Sequence, residues 1–285
     1  MKHKLKNLVH WVPALPFFIL VIAFLMIPLA NMVVESFLDP ASGAFTFQNY
    51  ATIATKPAYY IATWNSVKVA LLSTAIGMVI CFFAALAVTS IGFSARRWFM
   101  PILNMTQNFA GFPLAFSFML MFGNTGFIML AAKHLGIEFI TQYKLYSSEG
   151  MIPMFIWFAI PLGTLLLIPG FETIRKEWKE SATLMGANSA QFWWKVGIPN
   201  LLPSLLGTTS MMFADSITTY TTVYMIMGAN ATMLPIKIAS MFSGDSKQKT
   251  ELGSALSITM ILIILLVMLI TNILKKRCVK GGLQK

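Results

Sequence analysis

Charge is scarce in this chain: Asp, Glu, Lys and Arg make up 11% of its 285 residues, while 57% are hydrophobic. That deficit excludes an ordinary soluble domain, in which about a quarter of residues are charged. Cysteine is nearly absent too. Cys81 lies in an apolar run and Cys278 in a basic tail, so neither a disulfide framework nor a thiolate metal site is indicated. The histidines, His3, His10 and His134, are scattered, with no His/Asp/Glu cluster at ligand spacing and no paired acids inside an apolar run, which argues against a membrane-embedded metal or acid–base enzyme. No Gly-x-x-x-x-Gly-Lys-Ser/Thr phosphate loop occurs, so the chain is not expected to bind ATP itself, and no other cofactor or metal is expected in it.

What fills the space left by charge is long apolar sequence. A bilayer core of about 30 Å needs roughly 20 apolar residues per helix. Six runs meet this, from Trp11 to Val34, Ile61 to Ile91, Trp98 to Phe122, Met151 to Gly170, Leu201 to Met227 and Gly253 to Leu274. The expected fold is all-α: one polytopic transmembrane domain over residues 1–285 with six membrane helices. Lys2, Lys4 and Lys6 precede the first run as they would in a signal peptide. Its apolar stretch is too long for a signal core and Ile27-Pro28-Leu29-Ala30 is a poor cleavage site, so it reads as a retained helix.

Six crossings put both termini on one side, and the basic residues choose which. With both termini cytoplasmic, 14 of the 21 Lys and Arg lie inside and 7 outside. The acids then give a net charge of +11 inside and +1 outside, the asymmetry the positive-inside rule requires. That asymmetry accounts for the basic composition without a nucleic-acid partner. Of the outside loops, 35–60 contains Asn49-Tyr50, residues 126–135 form a candidate short helix before Gly136, and 228–252 carries Pro235 and Gly244-Asp245.

The cytoplasmic connection from Phe171 to Asn200 has helix stop and start signals within about thirty residues. Phe171 to Met185 reads as a helix ended by Gly186, the residue best suited to a left-handed conformation. Asn188 is placed to cap the next helix, with Gln191 completing a capping box. That second helix carries Phe192, Trp193 and Trp194 and is expected to end near Gly197, because Pro199 cannot continue it. An exposed elbow of this kind suits docking to a soluble partner.

The pattern Glu180-Ser181-Ala182, three residues, Gly186, nine residues, Val196-Gly197-Ile198-Pro199 resembles the EAA motif of ABC importer permeases. Ser181 stands where alanine is usual, Val196 where isoleucine is usual and Ile198 where leucine is usual, with the spacing intact. Leu145-Tyr146-Ser147, Ile160-Pro161-Leu162 and Leu234-Pro235-Ile236 look like the type I branch that includes polyamine, ferric-ion and aminophosphonate systems. The resemblance covers most of the chain from about Asn49 onward. It implies a type I, MetI-like architecture whose loop forms a coupling helix in a groove of a separate ATPase subunit, which binds ATP and Mg. It also implies a second permease subunit, identical or homologous, an extracytoplasmic solute-binding protein, and a multi-pass location in a bacterial cell membrane with both termini cytoplasmic.

The residue types suit that task. Leu184 and Met185 offer apolar knobs, Gly186 and Ala187 permit close approach, and Glu180 offers a charge to a basic partner, with Ser181 and Ala182 beside it. The alternative for this loop is a self-contained interfacial hairpin anchored by its tryptophans.

Asp215 is the sole acid inside an expected span, and intramembrane acids face cavities or partners rather than lipid. At helical spacing Thr208, Asp215, Thr218, Thr219 and Thr222 share its face, which makes a candidate translocation pathway. Asn104, Gln107, Asn108 and Gly111 form a comparable stripe in the third span. Both stripes have a structural alternative as inter-helix packing. The prolines Pro153, Pro161 and Pro169 suit helices that bend. Asp215 is a candidate contact for a cationic solute such as a polyamine, and among the solutes of the branch the chain resembles the order of expectation is a polyamine first, then an aminophosphonate, then ferric ion. The rival class is an ion-coupled secondary transporter in which Asp215 carries the coupling ion.

Overall fold

The computed structural model describes residues 15–40, 42–91, 93–243 and 249–282. The expected start of the first span at Trp11, the lysines before it, His3, His10 and Gly244-Asp245 lie outside the described residues. Among the described residues the chain is helical, with one isolated bridge between Leu38 and Phe45 and no strand.

In chain order the helices are α1 (Leu15–Ser36, with a π-type turn at Ile22–Met26), α2 (Gln48–Thr55), α3 (Pro57–Ser90), α4 (Phe93–Asn108), α5 (Phe112–Phe122), α6 (Phe127–Leu135) and the single turn α7 (Glu138–Thr141). They continue with α8 (Ile152–Glu172), α9 (Lys176–Leu184), α10 (Ser189–Phe192), α11 (Ile198–Thr218), α12 (Thr221–Met227), α13 (Leu234–Phe242) and α14 (Thr250–Gly282). Five stretches are long and apolar enough to cross a membrane: Leu15–Ser36, Pro57–Ser90, Phe112–Leu135, Ile152–Glu172 and Thr250–Arg277.

Two expected runs are interrupted. The run from Trp98 to Phe122 divides into α4 and α5, because the chain leaves the helix after Asn108 and turns at Gly111, whose φ of +67° favours glycine. Pro113 then occupies the first turn of α5, where its missing N–H is not needed. The run from Leu201 to Met227 divides into α11 and α12 at Thr219–Tyr220. Thr218 and Thr219 turn their hydroxyls onto the carbonyls of Ala214 and Asp215, at 2.8 Å each, and clustered β-branched residues weaken a helix here. α11 is absent from the five apolar stretches, since Thr208, Thr209, Ser210, Asp215 and Ser216 dilute its hydrophobicity.

By compactness the chain falls into two units. One joins Met1–Tyr60 to Ile238–Thr259. Here the Asn49 carboxamide donates to the carbonyls of Ser36 and Leu38, at 3.1 and 2.9 Å, and so satisfies acceptors left open at the end of α1. The Tyr50 hydroxyl donates to Ser36 Oγ at 2.9 Å, and the Ser254 hydroxyl donates to Glu35 Oε2 at 3.1 Å. Phe37 packs among Phe45, Phe47 and Tyr50 with ring centroids 5.2 to 5.5 Å apart.

The other unit joins Ile61–Lys237 to Met260–Lys285 and holds the main core. α3, α8 and α11 cross closely, because small residues meet there: a side chain added at Gly163 would lie 2.6 Å from Cys81 Sγ and 2.7 Å from Met212 Sδ. The Cys81 thiol donates to the Ile160 carbonyl at 3.4 Å, and the crossing is sealed by buried Ala85, Ala159, Leu167 and Leu201. A second cluster packs Leu114 and Ala115 of α5 against Val223 and Ile226 of α12, over Phe155 and Met154 of α8.

Candidate coupling site and translocation face

The segment after α8 forms a bracket. Its first arm, α9, has no buried residue and ends in two interlocked bonds: Gly186 N–H donates to the Thr183 carbonyl and Ala187 N–H to the Ala182 carbonyl, both at 2.9 Å. This is a Schellman ending, which requires a left-handed residue at Gly186, where φ is +81°. Ala182 and Ala187, joined by the second of those bonds, are the half-buried residues of the elbow, and Glu180 and Ser181 are exposed.

The second arm starts as its residues dictate. Asn188 Oδ1 accepts the Gln191 N–H at 2.8 Å, Gln191 Oε1 accepts the Asn188 N–H at 2.9 Å, and the reciprocal pair completes the capping box. Two expectations for the bracket are corrected. Phe171 to Met185 is not one helix, since α8 runs to Glu172 and α9 restarts at Lys176 after a short link. Nor does the second arm stop at Gly197: it passes through a π-type turn, Trp193–Gly197, straight into α11. Pro199 sits in the first turn of α11 rather than breaking it, because the wider turn bonds Ile198 N–H to the Trp193 carbonyl.

At the tip, Leu184 is 90% and Met185 87% exposed. Unlike the apolar residues of the long spans, they occupy a polar loop, so no stretch of apolar sequence accounts for their exposure. Between α9 and the ends of α3 and α4 lies a groove of about 1080 Å³, lined by Arg96, Glu172, Arg175, Lys179 and Glu180 among others. Arg96 pairs with Glu172 across it. Glu180 forms no ion pair among the described residues, so its carboxylate is open to a basic partner.

The other candidate residues separate. Thr208 and Thr222 are buried, Asp215 and Thr219 half-buried and Thr218 exposed. They do not form one continuous helical face, because α11 ends at Thr218 and Thr222 belongs to α12. Asn104 and Asn108 are exposed on α4, Gln107 is half-buried, and the asparagine amides donate to the carbonyls of Met100 and Asn104, at 2.9 and 2.8 Å. These side chains bond to their own helix rather than across to another.

The two helix breaks adjoin: a side chain at Gly111 would approach Thr221 Cγ2 to 3.7 Å. Sequence reading missed this pairing. The signals available to it were Gly111 two residues before Pro113 and the threonines around Tyr220.

At the far end of α3, Lys68 Nζ lies 2.5 Å from Glu149 Oε1, and this bond and charge hold the Glu149 carboxyl below its ordinary value of 4.5. Nearby, Asn65 Nδ2 donates to the Thr232 carbonyl at 3.1 Å and Ser66 Oγ accepts the Leu234 N–H at 2.8 Å. Burial pushes the Tyr143 phenol up to about 12, and its hydroxyl donates to the Gly150 carbonyl.

A helical membrane chain with this bracket has the form of a transporter permease subunit. Residues 77–280 match the family described as binding-protein-dependent transport system inner membrane component, and the chain belongs to that family. It is thus the membrane component, not an enzyme, and the ATPase of such systems is a separate subunit. It is 23% identical over 264 residues to the sulfoquinovosyl glycerol transport system permease protein SmoG of Agrobacterium fabrum, covering 86% of this chain and 83% of that one. It is 24% identical over 265 residues to the osmoprotective compounds uptake permease protein GgtC of Synechocystis, covering 88% and 92%. The match to the multiple sugar-binding permease MsmF of Streptococcus mutans, 24% identical, spans only 46% of this chain and 47% of that one. The fold is similar to a chain of a bacterial ABC transporter involved in import of the acidic polysaccharide alginate, with TM-score 0.75, 18% identity, and 97% and 98% of the two chains covered. It is also similar to a chain of the MetNI methionine transporter, with TM-score 0.55, 16% identity, and 76% and 94% covered.

Proposed function

We propose that this chain forms the solute pathway of an ATP-driven importer and couples it to a separate ATPase through the bracket. The observation that carries the reading is the Leu184–Met185 pair, exposed at the tip of a capped elbow with open Glu180 on the same arm. The ATPase subunit binds ATP and Mg, and its groove takes the elbow. A second permease subunit, identical or homologous, completes the pathway, and a solute-binding protein delivers cargo at the other side of the membrane.

In this reading the chain crosses six times, with α4 and α5 as the third crossing and α11 and α12 as the fifth, so both termini share one side, taken as the cytoplasm. The basic excess of the bracket and tail supports this orientation in a bacterial cell membrane. Alternating access follows if the ATP-bound partner favours one orientation of the helices and hydrolysis restores the other.

Asp215, Thr218 and Thr219 on one side of the paired breaks, and Asn104 and Asn108 on the other broken span, are the pathway residues of this reading. For the cargo, the near-full-length relatives are named for a sulfoquinovosyl glycerol and for osmoprotective compounds, and the first of these names supports a sugar-like organic solute. Neither name supports the polyamine, aminophosphonate or ferric-ion branch. A second reading, a cationic solute such as a polyamine, rests on the half-buried carboxylate of Asp215 alone.

The test is uptake by the complete complex in vesicles. Uptake requiring ATP and the partner ATPase, and lost in Gly186→Ala or Glu180→Ala, supports the importer; uptake driven by an ion gradient in this chain alone overturns it. Comparing a polyol glycoside, a polyamine and an amino acid in Asp215→Asn separates the cargo readings, since loss confined to the polyamine would select the cationic one.

A further inference from the structure

The bracket is held to the membrane helices at two roots of unlike construction. The first, Thr173 to Arg175, is a short non-helical link. The second is the π-type turn, whose extra residue splits two adjacent tryptophans: Trp194 is 74% exposed, whereas Trp193 turns inward. The Trp193 ring centroid lies 5.9 Å from that of Phe82 on α3 and 6.0 Å from that of Phe171 at the end of α8. Phe82 and Phe171 stand 5.2 Å apart, so the three rings form a closed triangle, with Phe192 of α10 5.7 Å from Trp193. On its remaining side the indole folds over Gly197, where any Cβ would overlap the ring. Among the described residues no such ring cluster holds α9, which has no buried residue and faces the groove.

A displacement applied at the elbow therefore meets a short non-helical link on one side, where Ile174 packs against the core, and a closed aromatic joint on the other. Close-packed rings transmit displacement because sliding them apart opens a void. From this we infer that Trp193 is the positioning residue through which movement of the coupling elbow reaches α3 and α8, with Phe82 and Phe171 as its receivers. This rests on the coupling reading of the elbow and adds the route by which force leaves it. The exposed Trp194 has no part in the route.

The experiment uses the reconstituted complex with its ATPase and binding protein, and measures assembly, ATP hydrolysis and uptake together. In Trp193→Ala, assembly and hydrolysis persist while uptake per ATP falls about tenfold, the factor that losing aromatic pair contacts of ordinary strength would produce. Trp193→Phe, which keeps a ring, restores most of the ratio, and Trp194→Ala leaves it unchanged. Should Trp193→Ala fail to accumulate, Phe82→Leu, which keeps an apolar side chain and removes the receiving ring, gives the same fall in the ratio.

An unchanged ratio in Trp193→Ala or Phe82→Leu overturns the inference, as does an equal fall in Trp194→Ala. If Gly186→Ala blocks assembly while the ratio of Trp193→Ala is normal, coupling at the elbow stands and the aromatic route does not. If elbow variants leave assembly and uptake untouched, the coupling reading falls and takes this inference with it.

Discussion

Asn188 and Gln191 cap each other's backbone: each carboxamide oxygen accepts the other residue's N–H, at 2.8 and 2.9 Å. The bracket's second arm has only one short turn, α10, before the π-type turn begins, so these bonds fix where it starts. Asn188→Ala removes the bond that Asn188 Oδ1 accepts from the Gln191 N–H and costs about 1 kcal/mol locally. Hydrogen exchange at residues 189–192 is expected to quicken roughly fivefold, the factor such a loss gives, with α3 and α8 unaffected. Unchanged exchange would show that Trp193 packing alone holds the arm.

The cap was readable in the sequence because capping is local: Asn188 and Gln191 stand three apart and need nothing else. Gly186 was readable for the same reason, and the long apolar runs because hydropathy needs only composition. Pro199 misled because a proline need not end a helix: the π-type turn before it accommodates the missing N–H, and Pro161 and Pro169 likewise lie inside α8. The division of the third run at Gly111 and of the fifth at Thr219 shows up in the packing of α5 against α12, a contact between residues about a hundred positions apart. Trp193 and Trp194 are indistinguishable as letters. Only the register of the π-type turn decides which of them faces Phe82.

Leu184 and Met185 touch little of their own chain. A charge at either position should therefore leave the fold intact and act only on docking. Leu184→Asp with Met185→Asp is expected to melt within a degree or two of the parent in detergent, surface changes being worth about half a kcal/mol or less. Copurification with the ATPase should fall at least tenfold, because burying an uncompensated charge at an interface centre is costly. A large loss of thermal stability would instead mean that the pair packs within this chain.

Lys68 holds the Glu149 carboxyl below its ordinary 4.5 through a hydrogen bond and its charge. With the folded value lowered, the unfolded chain takes up the proton first on acidification. The pair's stabilisation is thus complete above about pH 4.5 and is lost as pH falls through the folded value. Glu149 is fully exposed, so the effect on global stability is small and the carboxyl itself is the better probe. In Lys68→Ala the Glu149 carboxyl, followed by carbon NMR, should titrate in the ordinary range. An identical titration in parent and variant would remove the ion pair from the solution structure.

Gly163 lies at a close crossing of α3, α8 and α11. A methyl there would press on Cys81 Sγ at 2.6 Å and Met212 Sδ at 2.7 Å, closer than non-bonded atoms tolerate. The obstructing atoms are both sulfurs, and the Met212 side chain is flexible, so the helices need not separate entirely. Gly163→Ala should then destabilise by about 1 to 3 kcal/mol, the usual cost of overfilling a packed core. Cys81→Ala removes one of the two obstructing atoms and should relieve part of that cost when combined with Gly163→Ala, although alone it leaves a small void. The sign of the coupling is the decisive quantity: in a four-corner thermal-stability cycle the double variant must be more stable than the sum of the single losses predicts. Simple additivity would mean that the crossing relaxes by moving α8 as a whole, and that Cys81 and residue 163 do not meet in the folded protein.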